Sequence, residues 1–154
     1  MKENFTKDDY VYLAMHCSDH FERWFDKEEF PQEHYWHLIN NYPEYFNIWF
    51  DKKTFPVKDY KYLAEHYPEK CKIWFDKETD FNDKYWYLAQ YCADYFNTWF
   101  DKETFPQDKY YYLAQYCADY FNTWFDKNIY PEDDYWCLAE KCYNYFDVWS
   151  KNKS

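Results

Sequence analysis

Tryptophan recurs at Trp24, Trp49, Trp74, Trp99, Trp124 and Trp149, always 25 residues apart. The same interval carries Tyr10, Tyr35, Tyr60, Tyr85, Tyr110 and Tyr135, and again Leu13, Leu38, Leu63, Leu88, Leu113 and Leu138. An internal period of this length is the signature of a stacked array, in which one copy cannot bury its own apolar face and its neighbours complete the core. Six copies account for nearly all of the 154 residues. The chain is therefore expected to form a single repeat domain over 1–154.

The content of one copy decides the secondary structure. In the fifth, Tyr110, Leu113, Ala114 and Cys117 stand at i, i+3, i+4 and i+7, one face of a helix. Tyr120, Phe121, Trp124 and Phe125 mark a second short amphipathic helix, with Asp119, Asn122 and Thr123 opposite. Pro31, Pro56, Pro106 and Pro131 fall where a first helical turn accepts proline, and Thr104 with Gln107 has capping-box spacing. Pro43 and Pro68, each followed by Glu, stand between the two helices, where a continuous helix would cost about 3 kcal/mol. The chain has no glycine at all, which argues against tight hairpins that need a positive φ.

The predicted fold class is all-α: short helix–turn–helix tandem repeats in six copies with a 25-residue period, stacked as an α-solenoid. A first helix is expected over 6–17, 31–42, 56–67, 81–92, 106–117 and 131–142. A second is expected over 19–26, 43–51, 68–76, 93–101, 118–126 and 143–150, with consecutive tryptophans forming a row. The fourth copy departs at Asp80-Phe81-Asn82, where Phe is displaced by one and Pro is lost, so its loop should differ. Phe follows Trp in five copies, but Ser150 and the polar Lys151-Asn152-Lys153-Ser154 follow in the last. His20, Glu22 and Arg23 are polar in the first. Both ends thus read as caps.

Net charge is −11, with 29 acidic against 18 basic residues. Nucleic-acid affinity comes largely from Lys and Arg releasing counterions, so direct nucleic-acid binding is not expected. No apolar run is long enough to span a bilayer, and Met1-Lys2-Glu3-Asn4 does not open a signal peptide. A cytoplasmic, reducing environment is the expectation. Of the six cysteines, Cys17, Cys92, Cys117 and Cys142 share one column with Tyr42 and Tyr67. Stacked helices lie roughly 10 Å apart, farther than a disulfide reaches, so these read as small buried apolar groups.

No pattern carries catalysis, a cofactor or a metal. The Asp–Lys pairs (Asp26-Lys27, Asp51-Lys52, Asp76-Lys77, Asp101-Lys102 and Asp126-Lys127) sit at a helix end, where Asp accepts backbone N–H groups. His34 and His37 are i, i+3, but no other copy supplies a matching pair. A recognition surface is the better candidate. The column Val11, Trp36, Lys61, Trp86, Tyr111 and Trp136 lies among polar columns on the helical wheel and changes character from copy to copy. A second stripe is Tyr12, His37, Tyr62, Tyr87 and Tyr112, supported at i+4 by His16, His66, Tyr91 and Tyr116. The function expected from this pattern is that of a non-enzymatic scaffold, needing no cofactor, that binds a basic protein through an acidic, Tyr/Trp-rich face. The alternative is an acidic mimic of nucleic acid that occupies a DNA- or RNA-binding cleft.

Overall fold

The column of Cys17, Tyr42, Tyr67, Cys92, Cys117 and Cys142 sets the architecture, because there the backbone leaves the helix in every copy. Tyr42 lies at φ −128 and ψ 48, Cys92 at φ −113 and ψ 25, and Cys117 at φ −122 and ψ 33. In a computed structural model describing residues 4–151, twelve α-helices alternate with short 3₁₀ turns, except between Cys71–Trp74 and Lys84–Tyr91, and no strand occurs among the described residues. The first helix of each copy is α1 (Lys7–His16), α3 (Tyr35–Asn41), α5 (Tyr60–His66), α7 (Lys84–Tyr91), α9 (Tyr110–Tyr116) and α11 (Tyr135–Lys141). The second is a single turn: α2 (Phe21–Trp24), α4 (Phe46–Trp49), α6 (Cys71–Trp74), α8 (Phe96–Trp99), α10 (Phe121–Trp124) and α12 (Phe146–Trp149).

The helix–turn–helix repeat is thus present, but its helices are shorter than their apolar periodicity suggests. From the second copy on, most begin with a 3₁₀ turn, such as Gln32–His34 before α3 and Pro43–Tyr45 before α4. The break between the two helices does not require proline, since Ala93 and Ala118 start the same 3₁₀ turn that Pro43 and Pro68 start. What holds it is the core tryptophan. The indole N–H of Trp49 donates to the Tyr42 carbonyl at 2.8 Å, that of Trp124 to Cys117 at 2.8 Å and that of Trp149 to Cys142 at 2.9 Å. Each of these carbonyls also accepts the backbone N–H three residues on, as Tyr42 does from Tyr45 at 3.1 Å, so the indole is a second donor that ties the short second helix to the junction within its own copy.

Two of the cap assignments differ from expectation. Pro31, Pro56, Pro106 and Pro131 are extended residues that precede the 3₁₀ turn, at φ near −65 and ψ near 130. Thr104 is therefore two residues too early to cap, since Pro106 holds that position, and its hydroxyl bonds to the Asp101 carbonyl instead. Gln107 reaches forward, its amide donating to the Ile129 carbonyl of the next copy at 2.6 Å, as Gln32 does to Thr54 at 2.9 Å. A capping box does form, at Thr6 and Asp9 before α1.

The described residues gather into two compact units, Met1–Tyr67 with Asp80–Asn82, and Pro68–Thr79 with Asp83–Ser154. Each is a stretch of α-solenoid in which successive first helices pack side by side: α1 on α3 and α3 on α5 in the first unit, α7 on α9 and α9 on α11 in the second. Aromatic rings fill both cores. Trp49 packs against Phe46 of its own copy, against Phe55, and against Tyr67 of the next copy, so the tryptophans alternate with Phe and Tyr in place of a continuous row. Phe21, Phe46, Phe96 and Phe121 are all but inaccessible, whereas Phe146 is 55% exposed.

Copy-to-copy registry is held by the cysteine/tyrosine column. Tyr42 donates its hydroxyl to the Ala14 carbonyl at 2.7 Å and Tyr67 to Ile39 at 2.6 Å. Cys117 and Cys142 make the same reach with Sγ, to Ala89 and Ala114, each at 3.7 Å. All six cysteines are thiols, five of them buried. The column argument says nothing of Cys71, whose thiol hydrogen-bonds to Cys92 and, together with burial, pushes the Cys92 thiol far up.

The fourth copy's loop is rebuilt, as its sequence suggests. Phe81 stacks on Tyr60 at 5.9 Å, Asp83 turns into the left-handed region at φ 59, and α7 starts directly after it. The polar tail from residue 152 and the first three residues lie outside the described residues. Among the described residues, no helix is long and apolar enough to cross a membrane.

Candidate functional site

The outward side of the first helix carries the variable column because its neighbours point inward. Tyr35 and Leu38 are inaccessible, so Trp36, beside Tyr35, is turned out and remains 46% exposed. In the first unit Val11 and Lys61 are half-buried. In the second, Trp86 and Tyr111 are half-buried and Trp136 is 60% exposed. The column therefore stays out of the fully buried core in both units.

The second stripe is less uniform. Tyr12 is 62% exposed and leans on His16 at 4.6 Å, and Tyr62, Tyr87 and Tyr112 are half-buried. His37 is buried, and burial, with His34 nearby, lowers its pKa, so its imidazole is neutral at pH 7. His37 cannot serve as an exposed contact. Position 137 of the same stripe is Cys137, also buried.

Treated separately in the sequence, the two stripes meet in the structure. Trp36 stacks on His37 at 3.6 Å, Trp86 meets Tyr87 edge-on at 5.0 Å and Tyr91 at 6.2 Å, and Tyr111 lies 4.5 Å from Tyr112. Tyr111 hydrogen-bonds to Tyr112 and, with burial, pushes the Tyr112 phenol up to about 12. Lys61 adds its ammonium over the Tyr62 ring at 5.2 Å, and Lys109 lies over Tyr112 at 5.7 Å. Helical wheels place residues i and i+1 about 100° apart, so only ring size lets such neighbours touch.

The other motifs resolve into structure. In all five Asp–Lys pairs the Asp carboxylate accepts the N–H two residues on, from Glu28, Lys53, Glu78, Glu103 and Asn128. Two of these carboxylates also take a lysine from the preceding copy, Lys27 on Asp51 at 2.6 Å and Lys102 on Asp126 at 3.2 Å. Among the described residues no cluster of three His, Cys, Asp or Glu could hold a metal ion.

One residue that sequence reasoning passed over belongs with the site. Asp59 is only 5% exposed, although nothing in its column (Asp9, His34, Lys84, Lys109, Asp134) marks it. It lines an open groove of about 310 Å³ with Trp36, Ile39, Asn40, Lys58, Tyr62 and His66. Burial raises its pKa, while Lys58 and Lys61 act in the opposite direction. Comparison with protein-family models, with curated proteins and with solved structures finds no match.

Proposed function

We propose that this chain is a non-enzymatic repeat scaffold that binds a basic protein through the aromatic patches on the outward side of its first helices. The observation that carries this reading is Trp136: a full indole, 60% exposed, on a helix whose neighbouring Tyr135 and Leu138 are buried. Exposed tryptophans offer large contact area at little side-chain entropy cost, and they dominate interface energetics when covered. An overall charge of −11 favours a basic partner and speeds encounter with it. The nucleic-acid mimic has less support, because its regularly spaced carboxylates are engaged in Asp turns and, at Asp51 and Asp126, by lysine.

The test is affinity capture with the intact chain and with Trp86→Ala and Trp136→Ala. A basic partner held by the wild type and weakened by about 2 kcal/mol or more in the variants supports the reading. Equal retention by all three chains overturns it, and competition of the bound protein by duplex DNA would favour the mimic.

A further inference from the structure

The groove in the first unit brings together a buried aspartate, an exposed tryptophan and a lysine. Asp59 lies in the turn before α5, and its carboxylate makes no capping bond to that helix. The influences on it are burial and the charges of Lys58 and Lys61, with no hydrogen bond among them. Its oxygens are not among the fully buried polar atoms that lack a partner, so the carboxylate meets the water of the groove, and a ligand that donates to it there replaces that water with a direct hydrogen bond. Trp36 forms another wall. Its indole is stacked by His37, which lines the neighbouring groove on Ala14, Met15 and Ser18 but not this one, and the residue is 46% exposed. Lys58 lies on the groove, and Lys61 is close enough to act on Asp59.

A cationic ligand fits this set poorly. The charges of Lys58 and Lys61 already act on the carboxylate without pairing with it, and a third positive charge would meet their repulsion. A neutral edge carrying N–H donors adds no charge, and an anionic tail on the same molecule would meet Lys58 and Lys61. Guanine has that edge: its N1–H and N2–H₂ lie side by side, so both can point at one carboxylate. Adenine presents a donor beside a lone pair, which would face the carboxylate oxygens. A purine also stacks well on tryptophan.

We propose that this groove binds a free guanine mononucleotide, with the base on Trp36, its Watson–Crick edge on Asp59, and its phosphate toward Lys58 and Lys61. The unfavourable long-range field of the acidic chain is screened beyond about 8 Å at physiological salt, so the local lysines set the phosphate's environment.

The experiment titrates GMP, AMP, IMP, guanosine and N-acetylarginine amide into the full chain, read by calorimetry and by the Trp36 indole NMR signal. GMP should bind saturably and AMP about tenfold or more weakly, the discrimination a matched donor edge confers. IMP, which lacks the N2 donor, should fall between them, and guanosine should bind more weakly than GMP until Lys58 and Lys61 are replaced by Ala. Asp59→Asn and Trp36→Ala should each weaken GMP by about tenfold with the helical signal unchanged. Trp36 is nearly half exposed, so its variant keeps the test open if Asp59→Asn alters folding. Equal binding of GMP and AMP, unchanged affinity in Asp59→Asn, or tighter binding of N-acetylarginine amide than of GMP overturns the proposal. Trp86 and Trp136 lie in the other unit, so loss of protein capture there and loss of nucleotide here are separate outcomes.

Discussion

Tyrosine and cysteine substitute for one another in the column that registers one copy on the next because each ends in a donor aimed at the corresponding backbone carbonyl of the preceding copy. The tyrosine bonds are short, at 2.6–2.7 Å, and the thiol contacts long, at 3.7 Å. Tyr67→Phe should therefore leave the Ile39 carbonyl without its hydroxyl donor and cost about 1–3 kcal/mol, measured by urea unfolding. Burial also pushes the thiols up, Cys117 to about 12 and Cys137 and Cys142 to about 11. A maleimide at neutral pH should label Cys17, the one half-buried cysteine, before the other five, which should wait for unfolding. Asp59 makes a pH prediction. Its folded pKa is raised chiefly by burial, so the fold prefers the protonated acid; the stability it contributes is complete below the unfolded carboxylate range and is lost as pH rises through the raised value. Asp59→Asn should accordingly raise the melting temperature at pH 7, with the difference closing as pH falls toward about 4.

At the scale of the element, each second helix is a single turn, too short to persist alone, and it survives by anchoring a tryptophan whose indole N–H closes the preceding helix. In the second unit, Trp99→Ala should cost about 3–5 kcal/mol as a core truncation. Trp149→Ala, in the last described copy, should cost less, because that copy can open on its own; equal losses in denaturant melts would count against a linear stack. Trp136→Ala should leave stability within about 0.5 kcal/mol, as an exposed substitution. Trp86→Ala should cost more than Trp136→Ala, since Trp86 is half-buried and its ring meets Tyr87 and Tyr91.

Across the whole molecule, the 25-residue period, the all-helical content and the inward faces were legible in the chain alone, because helical periodicity is a local property and the core is the same face repeated. The departure at Asp80-Phe81-Asn82 was legible for the same reason. Helix ends were not: the turn at Tyr42, Cys92 or Cys117 is held by an indole seven residues later, a contact no propensity encodes. The outward column could be picked from its polar neighbours, but its merger with the second stripe depends on ring packing, and the burial of His37 on the packing around it. Asp59 was invisible, since a carboxylate in a polar column looks solvated until helices 25 residues apart close around it. Periodicity determined which residues each copy turns inward; the stacking of copies decided which polar and aromatic groups were left at the surface and which were covered, because exposure depends on neighbours that the local sequence does not contain.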